Sequence, residues 1–146
     1  MKTGRIIAID YGTKRCGIAV SDSLQIIATP LTVVPAEKLI PFLVEYCKTE
    51  TVSCLVIGLP LNLRNEEMPL EQNIATFIEK FQKQLPDLTI HRLDERFTSK
   101  MAQASMLQSG MKKKERAKKE NIDLVSAVIL LQGFMEIKNT HPNFEL

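Results

Sequence analysis

Residues 5–20, RIIAIDYGTKRCGIAV, decide the fold. The apolar run Ile6, Ile7, Ala8, Ile9 ends in a lone carboxylate, Asp10. Gly12 and the cations Lys14 and Arg15 make a turn, and a second apolar run follows over residues 16–20. Short continuous apolar runs read as strands buried on both faces, and the turn folds the two into a hairpin. An acid directly after a buried strand stands where a sheet meets solvent, within reach of metals and phosphates. Its other use is to hydrogen-bond the turn amides. On this stretch alone both uses stay open.

Working outward, residues 25–34 read as a third strand, which Pro30 confines to an edge or a bulge because it cannot donate to a ladder. Over residues 36–50, Leu39, Phe42, Leu43 and Tyr46 share one face of a helix, with Pro41 in its first turn or bending it. Residues 52–58 form a fourth, central strand ending in Gly58-Leu59-Pro60. Pro69 suits the first position of a second helix, whose buried face is Ile74, Phe77, Ile78, Phe81 and Leu85. A fifth strand, residues 88–93, ends in Asp94-Glu95-Arg96. Thr98 caps a helix reaching Ser109, with Gly110 as its stop. The last helix, residues 122–137, is apolar almost all round, with Asp123 in its first turn. Strands joined by short turns are antiparallel and strands joined through helices parallel. The expectation is an α/β fold: a mixed five-stranded sheet, first a meander and then parallel strands, flanked by helices.

At 146 residues, 45% hydrophobic and 25% charged, the chain suits one globular domain. We place that domain at residues 1–138, with 139–146 as a loose tail. No apolar run approaches the roughly 20 residues of a membrane span, and residues 1–5 lack a signal-peptide layout. A membrane partner is thus not expected, and a cytoplasmic location is. Cys16, Cys47 and Cys54 have no C-x-x-C spacing, so buried reduced thiols are expected rather than zinc or disulfides. The net charge of +2 is uneven: residues 111–120, MKKKERAKKE, carry +4 and the rest −2. Such a run is either a solvated loop or a polyanion contact.

Asp10, Glu95 and Asp123 each sit at an element end beside a turn. Asp10 and Glu95 close strands on the side where open α/β sheets place ligands; Asp123 opens a helix, whose dipole favours its charge. Were they to converge, their oxygens would suit hard cations such as Mg²⁺, and a pair of ions serves phosphodiester hydrolysis. Each also has a structural use: Asp123 as a helix cap, Glu95 in an ion pair with Arg96 or Arg92, Asp94 as a turn former.

These residues carry a family resemblance. The blocks IAIDYGTKRCGIAVSD (7–22), LVIGLPLN (55–62), LDERFTS (93–99) and NIDLVSAVILLQGF (121–134), the last preceded by a basic run, resemble the YqgF/RuvX family in its order. The resemblance implies an RNase H-like fold related to the RuvC resolvases, and a nuclease using Mg²⁺ or Mn²⁺, with two ions expected. It implies structured nucleic acid as partner: pre-16S rRNA matured at its 5′ end, on its own or in ribosomal precursor particles, or a branched DNA junction. It maps the catalytic and metal-holding acids onto Asp10, Glu95 and Asp123, with Asp10 shared between the ions. Phosphate contacts fall to Lys14, Arg15, Arg96, Lys112, Lys113, Lys114, Arg116, Lys118 and Lys119, which add affinity without reading sequence. RuvC-type resolvases carry their second acid at the end of the fourth strand, where this chain has Gly58-Leu59-Pro60, and two acids on the last helix, where Ser126 follows Asp123 here. Resolvase activity is therefore not carried over with the fold. No dimer seam is visible, so a monomer or weak dimer is expected.

Two other classes share features of the chain. D-x-G-T after a strand also serves as the phosphate loop of the sugar kinase, actin and Hsp70 group, which needs two such domains where this chain has room for one. A non-catalytic RNA-binding module would dock through residues 111–120 and be indifferent to loss of Asp10.

Overall fold

The computed structural model describes residues 3–60, 68–94 and 119–140. Its strands are β1 (Arg5–Asp10), β2 (Arg15–Ser21), β3 (Ala28–Pro35), β4 (Val52–Leu59) and β5 (Thr89–Asp94). They form one sheet in the order β3-β2-β1-β4-β5. β1–β2 and β2–β3 are antiparallel, β1–β4 and β4–β5 parallel. The expected mixed five-stranded sheet is present. Apolar β1 and β4 lie inside it, and β5, half-buried along its length, is an edge.

The elements explain themselves locally. Pro30 lies on β3, the other edge, and also beside a bulge: Ile18 pairs with Thr32 but Ala19 with Pro30, so Leu31 is the extra residue. The third strand starts at Ala28 rather than Gln25 because Gln25 is in a turn with φ +60°. The first helical stretch begins as a 3-10 turn (Ala36–Lys38) and becomes α1 (Leu39–Thr49), with Pro41 in the first turn, where its missing N–H costs nothing. Helix α2 (Leu70–Gln84) follows Pro69, which is its N-cap rather than its first residue. Helix α3 (Lys119–Thr140) is longer at both ends than expected. Two corrections follow. Asp123 is the fifth residue of α3, just past the first turn in which it was expected and so not a cap, and Asn139 and Thr140 are helical rather than tail. The helix expected over residues 98–109, its stop Gly110 and the remaining tail, 141–146, lie outside the described residues.

Side chains alternate across a sheet, and the two faces differ in size. On one face Ile7, Ile9, Ile18, Leu55 and Ile57 meet Leu39 and Leu43 of α1 and Ile74, Phe77 and Phe81 of α2. On the other, Ile6, Ala8, Ala19, Cys54 and Val56 receive, among the described residues, α3 through Ala127, Leu130, Leu131, Phe134 and Met135. The smaller residues let α3 sit close to the sheet. Closest is Gly17, where an added Cβ would stand 2.3 Å from the Asp123 carbonyl oxygen.

The far end of α3 is also fastened. Lys138 Nζ donates to Gln25 Oε1, while Gln25 Nε2 donates to the Gly4 carbonyl at 2.8 Å and reaches Ser53 Oγ at 3.3 Å. All of these groups are buried. Helix α3 therefore starts over the Asp10 end of β1, which pairs with Gly17, and runs to the Gly4 end.

Gly17→Ala is expected to cost about 1–3 kcal/mol of unfolding free energy through overpacking, measured by urea denaturation. Gly133→Ala, whose Cβ would meet Leu93 Cδ2 alone among the described residues, at 3.5 Å, is expected to be neutral or to stabilise α3 by up to about 1 kcal/mol. His91 packs on Phe134 with ring centroids 5.1 Å apart, and burial lowers its pKa from 6.5. The unfolded chain therefore takes up that proton first, and stability is lost as pH falls below about 6.5. His91→Phe is expected to flatten this acid-side slope in melts from pH 7 to 5.

Candidate active site

The C-terminal ends of β1, β3, β4 and β5 point to one edge of the sheet, and the turn leading into α1 and helices α2 and α3 start there. Asp10 closes β1 at this edge, half-buried, on the face that carries Ile6, Ala8 and α3. The turn beyond it is tight: a Cβ on Gly12 would lie 2.4 Å from the Arg15 carbonyl oxygen, so this position requires glycine. The Lys14 carbonyl then accepts the Ala36 N–H at 3.0 Å, tying the turn to the entry of α1.

Asp123 reaches the same place from α3. Its carboxylate makes an ion pair with Arg15, Oδ2 to Nε 3.4 Å, with both atoms buried and no hydrogen bond between those two. Gly12, Thr13, Lys14, Arg15 and Asp123 line a small cavity of about 140 Å³. Cys16 senses both carboxylates. Burial, chiefly, pushes its thiol up to about 11, and the negative charges of Asp10 and Asp123 add to the rise, against a contact of Sγ with the Gly12 carbonyl at 3.7 Å.

Of the residues singled out from sequence, the structure thus gathers Asp10, Asp123 and Arg15 at one edge, with Lys14 exposed beside them. Glu95, Arg96, Lys112, Lys113, Lys114, Arg116 and Lys118 lie outside the described residues. Lys119 belongs to the backbone of α3 rather than to a loop. Among the described residues no cluster of three His, Cys, Asp or Glu side chains is poised around a metal. β5 does bring the chain to Asp94, the residue before Glu95, at the same edge and two strands from β1, a lateral distance of about 9–10 Å. Cys16 and Cys54 are buried thiols outside any disulfide, as expected, whereas Cys47 is only half-buried.

Sequence reading missed a second ion pair. Arg92 donates to both Glu71 oxygens, at 2.9 and 2.5 Å, and to the carbonyls of Ile57 and Gly58, at 3.4 and 2.9 Å. It joins the first turn of α2 to the end of β4, so it is committed to Glu71. A guanidinium contact with the Gly58 carbonyl occupies the strand end where a RuvC-type acid was not found. The pattern E71…R92 carries no local signal, because its partners are brought together by the β4–β5 pairing.

A mixed five-stranded sheet in the order β3-β2-β1-β4-β5, antiparallel through β2 and parallel from β1 to β5, with helices on both faces, is the architecture of the RNase H-like class. The structure is similar to T. thermophilus RuvC in complex with a Holliday junction substrate, with TM-score 0.56, 14% identity, and coverage of 90% of this chain and 95% of that one. The family described as "RuvX: Holliday junction resolvase" matches residues 4–137, and this chain belongs to it. A protein of Bacteroides fragilis named "Putative pre-16S rRNA nuclease" is 48% identical over 134 residues, 92% of this chain and 97% of its own. Relatives of the same name occur in Amoebophilus asiaticus, 48% identical over 94% of this chain and 98% of theirs, and in Flavobacterium psychrophilum, 46% over 92% and 98%.

Native Cys16 is expected to resist iodoacetamide at pH 8, since its raised pKa keeps the thiol protonated through neutral pH. Because Cys16 is fully buried, alkylation is expected only once the protein is unfolded in urea, read by mass spectrometry.

Proposed function

We propose that this protein is a cytoplasmic nuclease that hydrolyses phosphodiester bonds in structured RNA with divalent metal ions, and that it matures the 5′ end of pre-16S rRNA. The observation that carries this reading is the approach of Asp10 and Asp123 at the carboxyl edge, in a chain nearly half identical to proteins named for that activity. Hard carboxylate oxygens suit Mg²⁺ or Mn²⁺, and two ions would be held by Asp10 and Asp123 with Glu95 as the third acid. Bound there, such ions activate water and stabilise the leaving oxygen.

The chain's own groups do the rest. Gly17 lets α3 bring Asp123 down to β1. Arg15 balances the charge of Asp123 and, with the exposed Lys14, offers cations to the phosphates of an incoming strand. Arg96 and Lys112, Lys113, Lys114, Arg116, Lys118 and Lys119 would extend that electrostatic track, on free pre-rRNA or on precursor particles, with the protein acting as a monomer or weak dimer. No helix among the described residues is long and apolar enough to cross a membrane.

The second reading, a Holliday junction resolvase, is favoured by the family description and by the junction-bound RuvC neighbour. One experiment separates them: an RNA spanning the 5′ precursor junction and a four-way DNA junction, each with Mg²⁺, Mn²⁺ or EDTA. Metal-dependent cutting of the RNA alone is expected. Asp10→Asn is expected to lower turnover by ~10³ or more, about 4 kcal/mol of transition-state stabilisation, with binding retained. Cutting of the DNA junction alone supports the second reading, and binding without cutting, unchanged in Asp10→Asn, supports a non-catalytic module. Replacing Lys112, Lys113 and Lys114 with Ala is expected to reduce the log–log salt slope of RNA binding by about 2–3.

A further inference from the structure

Across the sheet edge from Asp123 lies a second cavity, of about 340 Å³, between the start of α1 and the first half of α2. Its apolar wall is Tyr11, Phe77 and Ile40, and its rim carries Asn73, Lys80 and Glu37. We propose that this cavity is a nucleobase subsite, holding the base of a nucleotide beside the scissile phosphate against the Tyr11 ring. The proposal rests on the nuclease reading for its position relative to cleavage, but not for the binding of the base.

Three observations carry it. Tyr11 follows Asp10 directly, about 3.8 Å away along the chain, and alternation sends it to the opposite face, where it packs with the α1/α2 core. A strand whose phosphate lies over Asp10 therefore has an adjacent base within reach of Tyr11. Second, the ring is braced. It packs on Phe77 with centroids 5.7 Å apart, and Phe77 stacks on Phe81 at 5.6 Å. Phe81 is fully buried and Phe77 nearly so, leaving half-exposed Tyr11 as the outermost ring of a ladder rooted in the core. Such a platform loses little freedom on binding a base. Third, the rim is polar and exposed: Asn73 offers a donor and an acceptor together, as base edges require, Glu37 accepts from an exocyclic amine, and Lys80 supplies a cation for the adjoining phosphate. An apolar wall with a few convergent polar groups is the usual design of a small-ligand site.

The test uses the full-length protein and RNAs carrying 2-aminopurine at successive positions around the 5′ precursor junction, in EDTA so that nothing is cut. One position is expected to lose fluorescence on binding, as the base stacks. Tyr11→Phe is expected to keep that change and Tyr11→Ala to lose it. Thr76→Leu, at an exposed position of α2 on the cavity wall, fills the space without touching the core and is expected to lose it too. With metal, an abasic residue at that position is expected to lower kcat/KM by about 5- to 150-fold, the worth of one stacked base, and to have no further effect in Tyr11→Ala. A Tyr11-dependent change without cutting supports the subsite and overturns the nuclease reading. Cutting that ignores both the abasic residue and Tyr11 overturns the subsite and leaves the nuclease standing. Unchanged fluorescence at every position means that the cavity takes something other than a base, such as an aromatic side chain of a protein, and overturns the proposal.

Discussion

The site depends on one close contact, the seating of α3 on Gly17. A side chain there would strike the Asp123 carbonyl oxygen, and Gly17 is the residue paired with Asp10. The same missing Cβ thus sets the height of the helix above the sheet and brings the second acid toward the first. Ala8 and Ala19 continue the low surface under α3, while their neighbours Ile7, Ile9 and Ile18 build the thicker layer that takes two helices. Packing and chemistry are decided by the same alternation of small and large residues along β1 and β2.

That geometry also shapes the local field. The starts of α2, α3 and the turn into α1 share the edge where β1, β4 and β5 end. Helix N-termini carry partial positive charge and favour anions. The edge therefore brings together two kinds of charge: the carboxylates of Asp10 and Asp123, and helix ends with Arg15 and Lys14 that offset them. Arg15, pressed against Asp123 at 3.4 Å, is the point where the two meet. The buried thiol of Cys16 beneath them keeps its proton, so it adds no further charge to the site.

Most of the fold was legible because its signals are local. Buried strands announce themselves as short apolar runs, Pro30 pointed to both an edge and a bulge, and Leu39, Leu43, Ile74, Phe77 and Phe81 lie on the faces that helical spacing gives. The start of α3 was misplaced because Lys119 and Glu120 look like the tail of a solvated basic run, although both suit a helix; Asp123 was accordingly placed in its first turn. The contacts that assemble the site were not legible. Nothing near Gly17 in sequence marks it as the partner of a residue more than a hundred positions away, and Gln25–Lys138 and Glu71–Arg92 are likewise products of topology. Tyr11 carries no sequence signal of its own, because its ring ladder required α2 in place.

The bulge at Leu31 bears on the protein's behaviour in a crowded solution. Residues 23–36 contain no charged side chain, and Leu24, Ile26 and Ile27 stand exposed beside β3, an outermost strand of the sheet among the described residues. A long uncharged edge is a template for sheet extension between molecules. Here Pro30 contributes no N–H, and the extra residue beside it breaks the straight ladder that an incoming strand would have to match. A local irregularity, tolerated because it falls on the outermost strand, works against extension of this uncharged border by a second molecule.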